Sequence, residues 1–384
     1  MKGSSMVGRF SYLRERSRYP HSLLDLVRTA SARTLRLAVG AMVITWVPAA
    51  LLSALHGVHA FKWFFLDFAA QSRFLIVIPL LILAHAPLAA RLETTGRHFL
   101  DENLVREEDR SRFETAFGSL KRLDRSIVAR VSILLIVYTL VAAAMPLIRT
   151  GSLLPWAYVE GGLSPAGSWY VLVSFPIVIF LLFRLIWRQL VWTWFLHTIS
   201  RMDLRLVPAH PDHAGGLRFL EWCLWGYIPF SFATGTIVAG GVANHVLYAS
   251  HPLATFQFAP LVVIAFVLLV CVVPLCVFFT TLLRTKYRAI FQYGALAVGV
   301  GQQLEKKWLP GGSRVDEASL QVQDFSATTD LYQVVANVYE MDTIPVGLRS
   351  IGRLIVVALV PGVPVVLASI PFDRIMQLTV KMFL

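Results

Sequence analysis

Residues 169–190 read "WYVLVSFPIVIFLLFRLIWRQL". No acidic residue interrupts them, and the only charges, Arg184 and Arg188, come near the far end. As a helix the stretch is long enough to cross a hydrocarbon layer of about 30 Å. It has no charged face before Arg184, so it does not read as the half-exposed helix of a soluble protein. Six further blocks share this character: Leu35–Leu55, Phe74–Ala90, Ile127–Ile148, Trp222–Tyr248, Phe258–Leu283 and Leu354–Ile370. The chain is 56% hydrophobic and 15% charged, which suits lipid and not a set of soluble domains. The expected fold is therefore an all-α integral membrane protein of about seven transmembrane helices, with a small cytoplasmic helical layer and interfacial amphipathic helices. The last block carries Pro361, Gly362 and Pro364, and the number falls to six if 354–370 re-enters instead of crossing. The first block follows a polar stretch and lacks a small-residue cleavage site, so it reads as an anchor.

The formal charge of +12 is explained by its placement. With the N-terminus cytoplasmic, the segments 1–36, 91–130, 184–221 and 284–353 lie inside and hold 30 of the 35 Lys and Arg residues. That bias follows the positive-inside rule and supports a cytoplasmic N-terminus. Such a face attracts anionic lipids, and no nucleic acid is needed to account for the charge. Cys223, Cys271 and Cys276 all fall in or beside apolar blocks, so no disulfide framework is expected.

Between the spans the chain divides into a cytoplasmic amphipathic segment (1–34), an outer aromatic segment (56–73), and a cytoplasmic helical segment (91–126). A cytoplasmic loop (191–221), a second cytoplasmic helical segment (284–350) and a closing amphipathic helix (371–384) follow. Phe113, Ala116, Phe117, Leu120 and Leu123 recur at helical spacing, with Ser111 and Glu114 as a capping box. A helix continues from the sixth span to Trp308, "PGGS" (310–313) breaks it, and another is expected at about 325–340. No internal repeat of spans is evident.

All 23 acidic residues lie outside the apolar blocks, which argues against a proton- or sodium-coupled pump with a carboxylate at mid-bilayer. In the fifth block Ser231, Gly235, Ala239 and Ala243 recur every fourth residue. Small residues at that spacing let backbones approach closely, as an intramolecular contact, an oligomer seam or a pore-lining face.

The polar stretch "PAHPDHAGGL" (208–217) is the candidate site. Three readings compete. In the first, Asp212 caps the helix of span five, the glycines pack and the histidines sit at the interface. In the second, His210, Asp212 and His213 bind a divalent metal. In the third, Gly215 and Gly216 at the helix start, with Arg184, Arg188, Arg201 and Arg205, bind an anion or a phosphate headgroup. Trp187, Trp192 and Trp194 form an aromatic belt nearby. On the outer side His56, His59, His245 and His251 with Asp67 form a weaker metal candidate. "EEDRSR" (107–112) matches the EExxxR pattern of membrane-embedded CAAX-type proteases, but it lies in a charged loop and not in a span.

"LVPAHPDHAGGLRFL" (206–220), "DFSATTDLYQVV" (324–335), "IPVGLRSIGRL" (344–354) and "SIPFDRIMQL" (369–378) resemble a family of bacterial multi-span inner-membrane proteins carrying an HPDxxGGL loop. The resemblance covers the second half of the chain and implies architecture without chemistry. The functional expectation is a channel- or transporter-like protein, non-enzymatic and homo-oligomeric, with the 208–217 loop as a cytoplasmic gate or an anion or headgroup contact. The alternatives are a metal-dependent membrane enzyme or a scaffold that recruits a partner.

Overall fold

The computed structural model describes residues 23–150, 156–159, 162–248, 251–308 and 324–369. Most of the amphipathic N-terminal segment, "PGGS" and the closing amphipathic helix lie outside the described residues. Seven helices are long and apolar enough to cross a membrane: Ala32–Leu55, Phe68–Asp101, Ile127–Pro146, Pro165–Ser200, Ile228–Leu247, Leu253–Cys271 and Leu348–Ser369. They are spans one to seven below. The chain is an all-α multi-span membrane protein, and its described β-structure is a two-residue hairpin, Tyr158–Val159 with Gly162–Leu163, beside one isolated bridge. Leu135, Leu261 and Leu269 are each more than half exposed, as side chains that face lipid should be.

Hydropathy places the spans and misplaces their ends. Span two begins at Phe68, six residues before the apolar block, because Asp67 caps it by accepting the Ala70 N–H at 2.9 Å. The polar residues of its first turns are satisfied within the protein. Gln71 accepts from Trp46 Nε1 at 2.7 Å and donates to the Phe64 carbonyl, while Arg73 donates to the Tyr170 hydroxyl. Asp67 is 5% exposed and also accepts from Trp156 Nε1 at 2.8 Å and Asn244 Nδ2 at 2.7 Å. This carboxylate is buried, yet it stands at the end of a span and not in its middle.

Spans two and four begin alike. Ser164 accepts the Gly167 N–H at 2.9 Å, as Asp67 does that of Ala70. Each cap is followed by a short α-turn, then a π-turn (Ser72–Val77 and Tyr170–Ser174), then a proline just inside the next α-segment, Pro79 and Pro176. A proline lacks the N–H for the preceding carbonyl and crowds it, and a wider turn absorbs that conflict. The cap-to-proline spacing is the same in both spans. Where the two helices end, Val105 and Leu204 form the antiparallel bridge.

Both helices outrun the bilayer. Span four has 36 residues, about 54 Å of helix against about 30 Å of hydrocarbon. Its excess packs against the helix Arg110–Asp124, with Phe195 at 5.7 Å from Phe113 and 5.8 Å from Phe117. Phe99 from span two joins Phe219 and Phe278 in the same aromatic layer. The expected Ser111–Glu114 capping box is absent. The helix grows out of a 3₁₀ turn, Glu107–Asp109, and Glu114 pairs with Arg110. Span six is shorter than its apolar block. Pro274 sits in a 3₁₀ turn, Val273–Phe278, and a separate helix, Phe279–Trp308, continues below and packs on Asp324–Tyr339.

The small-residue stripe of span five is used inside the protomer. Ser231, Gly235 and Ala243 are buried and Ala239 half-buried. A Cβ on Gly235 would overlap the Ala358 carbonyl of span seven, and one on Gly240 would meet Phe68 and Ser72 of span two. Gly235→Leu should therefore lower unfolding stability by at least about 2 kcal/mol through overpacking. Gly241→Leu, where no atom lies within 4 Å, should not. Thermal unfolding in detergent, read side by side, checks the contrast.

Candidate anion-binding cleft and the HPDH loop

Arg184 and Arg188, two of the four arginines expected to bind an anion, are only 7% and 4% exposed and are already paired. Arg188 Nε lies 2.9 Å from Asp124 Oδ1 and its Nη2 3.1 Å from Oδ2, while Nη1 donates to the His85 carbonyl. Arg184 donates to the Asp124 carbonyl and stands 3.6 Å from its carboxylate. Burial pushes the Asp124 carboxyl up, but the Arg188 hydrogen bond and the two positive charges outweigh it and hold it below its ordinary value. The two guanidiniums thus fasten the helix Arg110–Asp124 to span four. Asp124→Ala leaves them buried without a counter-ion, and a loss of roughly 3 kcal/mol is expected from thermal unfolding.

Arg201 and Arg205, the other two, line a separate cleft of about 900 Å³. One wall is the end of span four and the segment after it, and the other is the top of the helix Phe279–Trp308. From that second wall come Arg284 and Arg288, one turn apart, with Gln292 a turn further. Among the described residues none of these four guanidiniums makes an ion pair or a side-chain hydrogen bond. The lone acidic residue in the lining, Asp203, is bound to Arg106 at 3.1 Å. Thr281 Oγ1 donates to the Ser200 carbonyl at 3.2 Å and ties the walls together.

Sequence reading missed Arg284, Arg288 and Arg106, because the cleft gathers segments far apart in the chain. The available signal was the row Arg284, Arg288, Gln292 at every fourth residue, polar on a helix that is otherwise largely apolar.

The HPDH loop closes on itself beside this cleft. Asp212 accepts N–H bonds from Ala214 at 2.8 Å, Gly216 at 3.1 Å and Arg218 at 3.1 Å; its Oδ1 lies 2.8 Å from His210 Nδ1, which also receives the Asp212 backbone N–H at 3.2 Å. Arg218 opens the 3₁₀ turn Arg218–Glu221 that leads toward span five, so the carboxylate serves the start of that helix. His213 has φ +53°, Gly215 +65° and Gly216 +95°, which winds the chain tightly around Asp212. The glycines give no passage to a ligand. A Cβ on Gly215 would sit 3.1 Å from Met341 Cε, and one on Gly216 3.3 Å from Leu104 Cδ2.

The segment before span seven straps the loop from outside. Asp342 donates its N–H to the His213 carbonyl at 2.6 Å and its carboxylate takes the Arg218 guanidinium at 2.5 Å. Lys286 Nζ donates to the Met341 carbonyl at 2.7 Å. Glu221 accepts from Gly347 N–H at 2.9 Å and from the Ser350 hydroxyl, at the start of span seven. Arg353 stacks 3.8 Å from the Trp225 ring.

His210, Asp212 and His213 do not converge as a metal site, since Asp212 is committed to three backbone donors and paired with His210, and His213 turns toward Glu340 at 3.9 Å. At the other ends of the spans Asp67 pairs with Asn244 and Trp156, and His59 accepts from Trp63. Among the described residues no group of three His, Cys, Asp or Glu is placed to hold a metal.

Protonation of this loop has two limbs. Burial raises the Asp212 carboxyl, but the His210 bond and the three backbone donors overcome it and bring it from 3.8 down to about 2. The Asp212 hydrogen bond raises His210 above 6.5. The Asp212 contribution is complete above its ordinary value and fades as pH falls through about 2. The His210 contribution is complete below its ordinary value and fades as pH rises through the raised one. Amide exchange at Ala214, Gly216 and Arg218, corrected for intrinsic rate, should be slowest between roughly pH 4 and 6.5. His210→Ala should remove the alkaline limb and leave the acid one.

Compared with known proteins, the chain matches no family model, no curated protein and no solved structure.

Proposed function

We propose that this is a channel- or transporter-like protein of the bacterial inner membrane that takes an anion in the arginine cleft at its cytoplasmic foot. One observation carries the reading: four guanidiniums without counter-ions among the described residues surround a single cleft. Guanidiniums at three other places have carboxylate partners, at Asp124, Asp342 and Glu93, whereas these four converge on one space without one. Like charges left facing one cleft repel one another, and an anion converts that cost into charge-assisted hydrogen bonds. The distribution of Lys and Arg supports a cytoplasmic position for the cleft.

The transport side of the reading draws on the interrupted spans. Spans two and four carry π-turns, and 3₁₀ turns lie at Val273–Phe278 below span six and at Val360–Gly362 within span seven. Interrupted helices are where transporters bend and expose carbonyls. Homo-oligomerisation belongs to the same proposal, with a seam elsewhere than the Ser231–Ala243 stripe, whose Gly235 is taken up by span seven.

Reconstituted liposomes loaded with a radiolabelled anion test the proposal. Anion efflux above that of protein-free liposomes is expected, with a fall of about tenfold in Arg284→Gln/Arg288→Gln. Efflux equal to that of empty liposomes overturns the transport reading and favours a scaffold.

A further inference from the structure

The depth and charge of the cleft narrow its ligand. We infer that it binds a soluble oligophosphate, an anion with two or more adjacent phosphoryl groups such as triphosphate or a nucleoside triphosphate, and not a lipid headgroup. This inference rests on the cleft being an anion site, as proposed above.

Depth argues against lipid. The inner edge of the hydrocarbon is marked twice. Span three starts at Ile127 with Ile127 and Val128 among its most exposed apolar side chains. Beside that start, Asp124 meets Arg184 and Arg188 of span four. His197, the cleft-lining residue of span four nearest the membrane, lies two and a half turns beyond Arg188, about 13 Å further along the helix. The headgroup layer on one side of a bilayer is only about 5–8 Å thick, and a tilt of about 20° shortens that reach little. Between the bilayer edge and the cleft stands the aromatic layer of Phe113, Phe117 and Phe195. A phospholipid with its tails in the bilayer does not extend that far, whereas a cytosolic solute reaches the cleft directly.

Charge sets the number of phosphoryl groups. Arg201, Arg205, Arg284 and Arg288 together carry +4, and the lining adds no free carboxylate because Asp203 is taken by Arg106. A single phosphoryl group supplies about −1.5 to −2 near neutral pH, enough for half of the set. Two or three joined phosphoryl groups match it, and each planar guanidinium can grip a phosphate oxygen pair. The two walls present the arginines as two pairs, Arg201 with Arg205 and Arg284 with Arg288, which suits an extended anion bridging them. The volume of about 900 Å³ lies within the roughly 300–1,000 Å³ usual for drug-sized ligands and exceeds what one phosphate fills.

The test is calorimetric titration of the full-length protein in phosphatidylcholine nanodiscs at fixed ionic strength, with sodium triphosphate and with sodium phosphate. Triphosphate should bind saturably and at least about tenfold more tightly than phosphate. Arg284→Gln/Arg288→Gln and Arg201→Gln/Arg205→Gln should each weaken triphosphate by about tenfold or more with an unchanged unfolding temperature, since these side chains are exposed and unpaired. Repeating the titration in nanodiscs rich in phosphatidylglycerol should change the affinity by no more than about threefold. Phosphate binding as tightly as triphosphate overturns the oligophosphate assignment and leaves an anion site. Loss of triphosphate binding in phosphatidylglycerol nanodiscs overturns the depth argument and assigns the cleft to lipid. Absence of binding by either anion, or binding indifferent to all four arginines, overturns the anion-site reading itself.

Discussion

Two arginines that share one carboxylate decide where this protein leaves the membrane. Arg184 and Arg188 sit on one face of span four, and Asp124 lies between them at the end of the helix Arg110–Asp124. Without that pair of contacts the two guanidiniums would be buried beside hydrocarbon with no counter-ion, at a cost of several kcal/mol. With them, the Arg110–Asp124 helix is held along the emerging part of span four and its phenylalanines cover Phe195. The remainder of span four can then stay helical in water, because its apolar face has something to pack against. The cleft wall at Ser200–Arg205 is mounted on that extension.

What the sequence made legible, and what it hid, follows from the range of the forces involved. Burial in lipid acts on every residue of a span at once, so the apolar blocks stand out and the all-α seven-helix architecture could be read from them. Helix ends are set by single hydrogen bonds, and hydropathy is blind to those. Gln71 and Arg73 look like loop residues by type, yet they lie within span two because Trp46, Phe64 and Tyr170 satisfy them. Arg184 and Arg188 were legible as neighbours on one face, but their partner Asp124 lies some sixty residues earlier. The cleft was half visible for the same reason. Arg201 and Arg205 were candidates because they are near the conspicuous loop, whereas Arg284 and Arg288 reach it only through the turn at Val273–Phe278.

The HPDH loop is an instance of chemistry-bearing residues put to structural use. A histidine, an aspartate and paired glycines in a short space suggest a site, but the aspartate is consumed by backbone donors and the glycines by their positive φ and close neighbours. The result is a rigid knot clamped by Asp342, with Lys286 and Glu221 fixing the strap on either side of it. Segments 206–220 and 344–354 meet here, which gives their residue choices a physical reason independent of catalysis. The knot also fixes the polypeptide at Leu206–Pro208, which lines the cleft. Its rigidity therefore positions Arg205 without touching any ligand itself.

The two walls of the cleft belong to helices with different freedom. Span four continues unbroken from Phe175 to Ser200, so Arg201 stands at the end of a stiff rod, and Arg205 follows in a segment pinned by the Val105–Leu204 bridge and the HPDH knot. Arg284 and Arg288 ride on a helix joined to span six by a 3₁₀ turn containing Pro274, where the α-helical hydrogen-bond ladder is interrupted. A force between the walls therefore bends the second far more readily than the first. Four unneutralised guanidiniums push the walls apart, and an anion between them removes that push and adds attraction on both sides. Under the proposed function, the energy of anion binding is delivered to the Val273–Phe278 turn, directly below the membrane segment of span six. This strongly basic cleft lies next to a built-in flexure instead of along a rigid surface, and under the proposed function that placement lets an anion act on the membrane segment.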